Sequence, residues 1–65
     1  MIWSDAENDL PAYLKTSDLV ARWQISARTL ERWRIAGTGP AWARLGDSVR
    51  YHRADVLAWE DAQRR

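Results

Sequence analysis

A chain without cysteine and with a single histidine, His52, has neither a disulfide nor a conventional zinc site to hold it together, so packing alone must fold it. That is a severe condition at 65 residues, because a domain of this size buries only about 60% of its unfolded surface. The sequence answers with five tryptophans, Trp3, Trp23, Trp33, Trp42 and Trp59, and no phenylalanine. A large aromatic buries roughly 150–250 Å², so a few of them can furnish much of a small core. The length accommodates one domain and excludes a multi-domain enzyme. No apolar run approaches the ~20 residues of a membrane span, and no basic-then-apolar leader is present. One small cytoplasmic domain, without membrane association, is expected.

The formal charge of +1 hides a division along the chain. Residues 1–14 hold Asp5, Glu7 and Asp9 without a base, a charge of −3. Residues 15–53 hold Lys15 and seven arginines against Asp18, Glu31 and Asp47, a charge of +5. Residues 54–65 return to −1. A basic middle made almost wholly of arginine suits phosphate and base-edge contacts, since the planar guanidinium donates two bonds at once.

Met1 to Pro11 reads as an acidic, flexible tail, and residues 12–65 as the domain. Thr16 or Ser17 caps a first helix, with Asp18 in its first turn and Leu19, Val20 and Trp23 on one side. That run stops at Gln24-Ile25-Ser26. Ser26 then caps a second helix, Ala27 to Ala36, which Gly37 ends. Two short helices joined this closely form a candidate helix-turn-helix. At ~100° per residue, Leu30 and Trp33 make the core stripe of the second helix. Arg28, Glu31, Arg32 and Ile35 fall on the opposite side, with Arg28 and Arg32 one turn apart. Like charges at this spacing repel by a few tenths of a kcal/mol, which Glu31 is placed to relieve. Arg34 lies nearer the core edge, where its head can reach a phosphate or the helix C-terminus. Gly37-Thr38-Gly39-Pro40 opens an extended stretch, and Ala41–Leu45 and Val49–His52 read as two strands around Gly46-Asp47-Ser48. A last helix, Ala54 to Gln63, turns Val56 and Trp59 inward.

This order of elements suits duplex DNA. A capped helix with an exposed ridge of Arg28 and Arg32 fits the major groove, about 12 Å wide. Its N-terminus can bond a phosphate through free N–H groups, with the Ser26 and Thr29 hydroxyls assisting. A neighbouring hairpin with Arg44 and Arg50 near its tip can act as a wing on the backbone or in the minor groove. The competing reading is a protein-interaction module with an arginine-rich surface. Catalysis finds no support: His52 with Ser48 and Asp55 has nothing to bring it together and reads as a solvent-facing strand histidine. Gly37-Thr38-Gly39-Pro40 lacks the Gly-Lys-Ser/Thr end of a phosphate-binding loop. Trp23, Trp33 and Trp59 fall on core faces, while Trp3 and Trp42 are unassigned between packing and base stacking. Neither a cofactor nor a metal is called for.

The segment from Tyr13 to Glu60 resembles the excisionase and AlpA group of small MerR-like winged-helix DNA-binding proteins. The matching text is Leu19-Val20-Ala21-Arg22-Trp23-Gln24-Ile25-Ser26, Thr29-Leu30-Glu31-Arg32-Trp33-Arg34, Gly39-Pro40, Leu45-Gly46, Val49-Arg50-Tyr51 and Asp55-Val56-Leu57-Ala58-Trp59. The resemblance implies an α+β, mainly α fold, the MerR-like winged helix-turn-helix. It implies a prokaryotic, mobile-element protein that acts as a recombination directionality factor beside an integrase (a tyrosine recombinase), or as a small transcription regulator. On that reading Arg28 and Arg32 face base edges, Ser26, Thr29 and Arg34 position on phosphate, and Arg44, Ser48 and Arg50 serve the wing. One module offers few contacts, so cooperative self-association on DNA is expected. Gln24 stands where the group's turn usually has glycine, so a less sharp turn is expected. No long coiled-coil helix follows, so MerR-type dimerisation and effector sensing are not expected.

Overall fold

The elements run β1 (Tyr13–Leu14), α1 (Thr16–Trp23), α2 (Ala27–Ala36), β2 (Ala43–Leu45), β3 (Ser48–His52) and α3 (Arg53–Gln63). The structure, a computed structural model, describes residues 10–64. Of the tail expected over residues 1–11, residues 1–9, and Trp3 with them, lie outside the described residues.

Local signals set the ends of α2. The Ser26 hydroxyl accepts from the Thr29 amide at 3.1 Å, which satisfies one of the amides a helix start leaves without a partner. Gly37, at φ 78°, ends the helix in the left-handed conformation and donates back to the Arg34 carbonyl. The start of α1 differs from expectation. Neither Thr16 nor Ser17 caps it; both are inside the helix, and Lys15 holds the cap position. The cap bond comes from Asp18, whose carboxylate accepts from the Lys15 amide at 2.8 Å. The turn after α1 is also sharper than expected. Gln24 takes the left-handed conformation itself, φ 56° and ψ 46°, and its amide bonds the Val20 carbonyl at 2.8 Å.

The sheet has three antiparallel strands in the order β1-β3-β2. β1 went unread in the sequence because two residues carry no periodicity; it forms by pairing Tyr13 with His52 and Leu14 with Tyr51. The Arg53 amide and guanidinium bond the carbonyls of Ala12 and Leu10, at 2.9 and 2.8 Å, and Leu10 packs against the core. The hairpin turn is Gly46-Asp47 alone, since Leu45 pairs with Ser48. Gly46 has φ 64°, the backbone freedom that a two-residue hairpin loop demands at its first position. α3 starts one residue before its expected position. His52 is its half-buried N-cap rather than a free strand histidine: Nδ1 accepts from the Ala54 amide at 3.1 Å, and the ring meets Tyr13 edge-on at 5.1 Å.

The core centre is Leu14, Leu19, Leu30, Tyr51 and Val56, each at most 2% exposed. No described tryptophan is among them, so the expectation of a tryptophan core needs correction. Trp23, Trp33 and Trp59 form a half-buried row at its edge, with Trp59 between the other two at ring distances of 4.9 and 5.4 Å. Such rings still keep water from the core centre and attract one another in tilted pairs. Gly39, at φ 78°, lies flat on Trp33: a Cβ there would come within 2.8 Å of Trp33 Cε3. That approach brings the chain leaving α2 close against the helix and starts the wing beside it.

Candidate nucleic-acid interface

α2 shows its two sides plainly. Leu30 is buried and Trp33 half-buried, while Arg28, Glu31, Arg32 and Ile35 are exposed. Arg28 and Arg32 stand one turn apart on the exposed ridge. Among the described residues neither makes a side-chain hydrogen bond or an ion pair, with Glu31 or any other group. The relief expected from Glu31 is therefore no more than a neighbouring charge. At the N-terminal end, Ser26 Oγ and Thr29 Oγ1 lie 3.0 Å apart and share a hydrogen bond. The two hydroxyls are thus engaged in the cap, although oxygen lone pairs remain. The amides of Ala27 and Arg28 belong to the first helical turn, whose N–H groups have no partner within the helix.

Arg34 is differently placed. Its guanidinium donates to the Tyr51 hydroxyl at 2.6 Å and reaches the Thr16 hydroxyl at 3.5 Å, the limit of a hydrogen bond. The same group lies 5.9 Å from the Trp42 ring centre, within the range of a cation–π contact. Tyr51 is on β3 and 1% exposed, so Arg34 ties α2 to the sheet and carries its buried phenol's hydrogen bond. Within the chain its partners are these two hydroxyls rather than the helix C-terminus.

The wing residues separate. Residues paired across an antiparallel ladder share a face, and successive residues alternate. Arg44 pairs with Val49, on the face that carries buried Tyr51, and so points to the α2 side. Arg50 pairs with Ala43 and Ser48 with Leu45, on the opposite, outer face. Arg50 bends back to donate to the Val49 carbonyl at 2.9 Å. Arg44 is exposed and has no hydrogen-bonding or ionic side-chain partner among the described residues. The structure therefore groups Arg44 with α2 and sets Ser48 and Arg50 apart from it.

Between α2 and the wing runs an open groove of roughly 320 Å³, lined by Glu31, Arg34, Ile35, Trp42, Arg44 and Val49. Two of these are apolar and open to solvent, Ile35 at 82% and Trp42 at 39%. Sequence reasoning placed Ile35 on the exposed face without a role and left Trp42 unassigned. The available signal was an isoleucine amid arginines on a ridge that needs no apolar residue for packing.

Away from the groove lining, Glu60 on α3 accepts two bonds from Arg22, at 2.6 and 2.9 Å, and a third from the Trp23 indole. The Arg22 bonds hold the Glu60 carboxyl below its ordinary pKa, against the opposing effect of burial, and the same bonds raise that of Arg22. This cluster fastens α1 to α3 and presents no free charge. Among the described residues no group of acidic, histidine or cysteine side chains is arranged to hold a metal, and no helix is long and apolar enough to cross a membrane.

No curated protein matches the chain at a significant level. A family model described as "Helix-turn-helix domain" does match, over residues 13–64. That range takes in all three helices and the hairpin, and it begins at the strand that joins the wing. With two helices at a tight left-handed turn, a wing and a basic exposed ridge on α2, the chain belongs to the helix-turn-helix domain family, a DNA-binding fold.

Proposed function

We propose that this protein binds duplex DNA sequence-specifically as an excisionase-type recombination directionality factor, without a catalytic step of its own. α2 enters the major groove and the hairpin serves as the wing. The observation that carries the reading is that Arg28, Arg32 and Arg44 stand exposed, without ionic partners among the described residues, on the two elements that flank one groove. Arg28 and Arg32 read base edges. The α2 N-terminus with Ser26 and Thr29, and Arg44 on the wing, take phosphates; Ser48 and Arg50 meet backbone from the outer face, and Arg34 holds α2 at its angle to the wing while its remaining N–H groups are open to phosphate. A single module buries roughly 600–1,000 Å² on DNA, so neighbouring copies on repeated sites raise affinity and bend the duplex for an integrase. Resemblance of the Tyr13–Glu60 segment to small excisionases supports that role; promoter regulation uses the same surface.

Binding to duplex should weaken steeply with salt. With about five phosphates neutralised, log K against log salt has a slope near −4.5. A flat dependence would exclude DNA binding, and no retardation of random duplex at low salt would favour the protein-interaction reading. Footprinting across attachment and promoter DNA separates the two roles: protection confined to a promoter would replace excision by regulation.

A further inference from the structure

The two DNA grooves of a duplex are separated by a single sugar–phosphate strand. If α2 lies in the major groove and the wing at the minor groove, that strand passes through the space between them. In this protein that space is the groove lined by Glu31, Arg34, Ile35, Trp42, Arg44 and Val49. Its charges are unevenly laid out for such an occupant. Arg44 has no hydrogen-bonding or ionic side-chain partner among the described residues, Arg34 is turned inward with part of its donor set given to Tyr51 and Thr16, and Glu31 is an anion that repels phosphate. Phosphate is therefore directed to the Arg44 side. The sugar next to it meets Ile35, Trp42 and Val49, which offer hydrocarbon and an indole in place of hydrogen-bond acceptors.

We infer that the Ile35–Trp42 surface of this groove is a deoxyribose seat, which discriminates against ribose at one step of the bound strand. The inference rests on the DNA-binding reading and deepens it. A 2′-hydroxyl set against the Ile35 side chain and the face of the Trp42 ring loses its water without gaining a partner, which costs free energy, and the 2′-OH is the group by which a protein tells RNA from DNA at a given site. The exposure of Ile35, 82%, has no use in the fold itself; a flat apolar sugar face accounts for it.

The test uses the whole protein and a short DNA duplex that the protein has selected from a random-sequence pool. Each nucleotide is replaced in turn by its ribonucleotide, and affinity is measured at fixed salt. One position, or two adjacent ones on one strand, should weaken binding about fivefold to tenfold, with other positions changing less than about twofold. Ile35→Ala should abolish that local sensitivity while retaining the wild-type fold by circular dichroism. A neutral methylphosphonate at the neighbouring phosphate should lower wild-type affinity but have little further effect on Arg44→Ala. A flat ribonucleotide scan with DNA binding intact, or an unchanged scan in Ile35→Ala, overturns the seat and leaves the DNA-binding reading standing. Tighter binding to ribose would put the sugar against the Glu31 carboxylate and also overturn it. Failure to retain any duplex at low salt removes both.

Discussion

Six arginines of this protein form two sets that differ in what they touch. Arg22, Arg34 and Arg53 each span elements: Arg22 reaches Glu60, Arg34 reaches Tyr51, and Arg53 reaches the Leu10 carbonyl. Arg28, Arg32 and Arg44 reach no hydrogen-bonding or ionic side-chain partner among the described residues. The residue type is the same and the physical role is opposite. A spanning guanidinium exchanges water for fixed acceptors and so stabilises one arrangement of helices and sheet, by about 0.5–1.5 kcal/mol per ordinary bond and more where charge assists. An arginine without a partner contributes little to folding and keeps its full donor set for a ligand. Composition cannot tell these sets apart, and a net charge near zero conceals both.

The two sets should respond differently to truncation, and the largest effect is expected on the spanning side. Arg34→Ala removes the donor from a nearly inaccessible phenol and the guanidinium that lies over the Trp42 ring. We expect a loss of about 2–3 kcal/mol in unfolding free energy, measured by urea titration. Tyr51→Phe should recover part of that loss in the double variant, because the orphaned hydroxyl is gone. An unchanged midpoint in Arg34→Ala would transfer Arg34 to the ligand-facing set.

Arg32→Ala should do the reverse. Stability should stay within about 0.5 kcal/mol of wild type, as for surface substitutions in general. Affinity for a selected duplex should fall by about 1–3 kcal/mol if Arg32 bonds a guanine edge bidentately. Nonspecific duplex should be affected much less. Equal losses on both sequences would make Arg32 a phosphate contact.

Much of this division was beyond sequence reading for reasons of distance and register. α2 could be read to its end residues because Ser26 and Gly37 act on their own neighbours. Arg34 finds its partner 17 residues away, so its angle on the helix said that it lay near the core edge and nothing about Tyr51. β1 is strand only because β3 is beside it, far along the chain. The wing shows how small an error matters. A turn of Gly46-Asp47-Ser48 would pair Arg44 with Arg50 on one face, whereas the two-residue turn pairs Arg44 with Val49. A shift of one residue moves a strand's side chains to the other face, and here it decides which arginine faces the groove. Trp23, Trp33 and Trp59 fell on the correct sides of their helices, but they pack at the core's edge, while Tyr51 and the aliphatic Leu14, Leu19, Leu30 and Val56 fill its centre.

The Arg22–Glu60 pair offers a smaller test, by pH. Its side chains are 34% and 27% exposed, so solvent screening limits its worth to about 1 kcal/mol. The Arg22 bonds depress the Glu60 pKa in the folded protein. Stability from this source is therefore complete above the unfolded value, about 4.3, and declines as pH falls through the lower folded value. Glu60→Gln should be less stable at neutral pH and should lose less stability than wild type on acidification. Parallel pH curves for the two proteins would mean that the pair contributes no net ionic stabilisation.

The smallest expected effect concerns the one acid on the basic ridge. Glu31 neighbours Arg28 and Arg32 in sequence and lines the groove with Arg44, without an ion pair to any of them. Its negative charge opposes phosphate wherever the ridge meets DNA. At the high effective dielectric of a surface, removing one such charge changes binding by about 0.5 kcal/mol. Glu31→Gln should therefore tighten binding to any duplex about twofold at low salt, and the gain should fade as the Debye length shortens below about 10 Å. Its effect on folding should be no more than a few tenths of a kcal/mol, from losing an attractive neighbour of Arg28 one turn away. The opposite sign is equally informative. A carboxylate that accepts from a cytosine amino group reads sequence, and Glu31→Gln would then weaken the selected duplex alone and leave random duplex slightly tighter. The sign on the selected sequence thus decides whether Glu31 merely moderates the charge of the ridge or belongs with Arg28 and Arg32 among its readers.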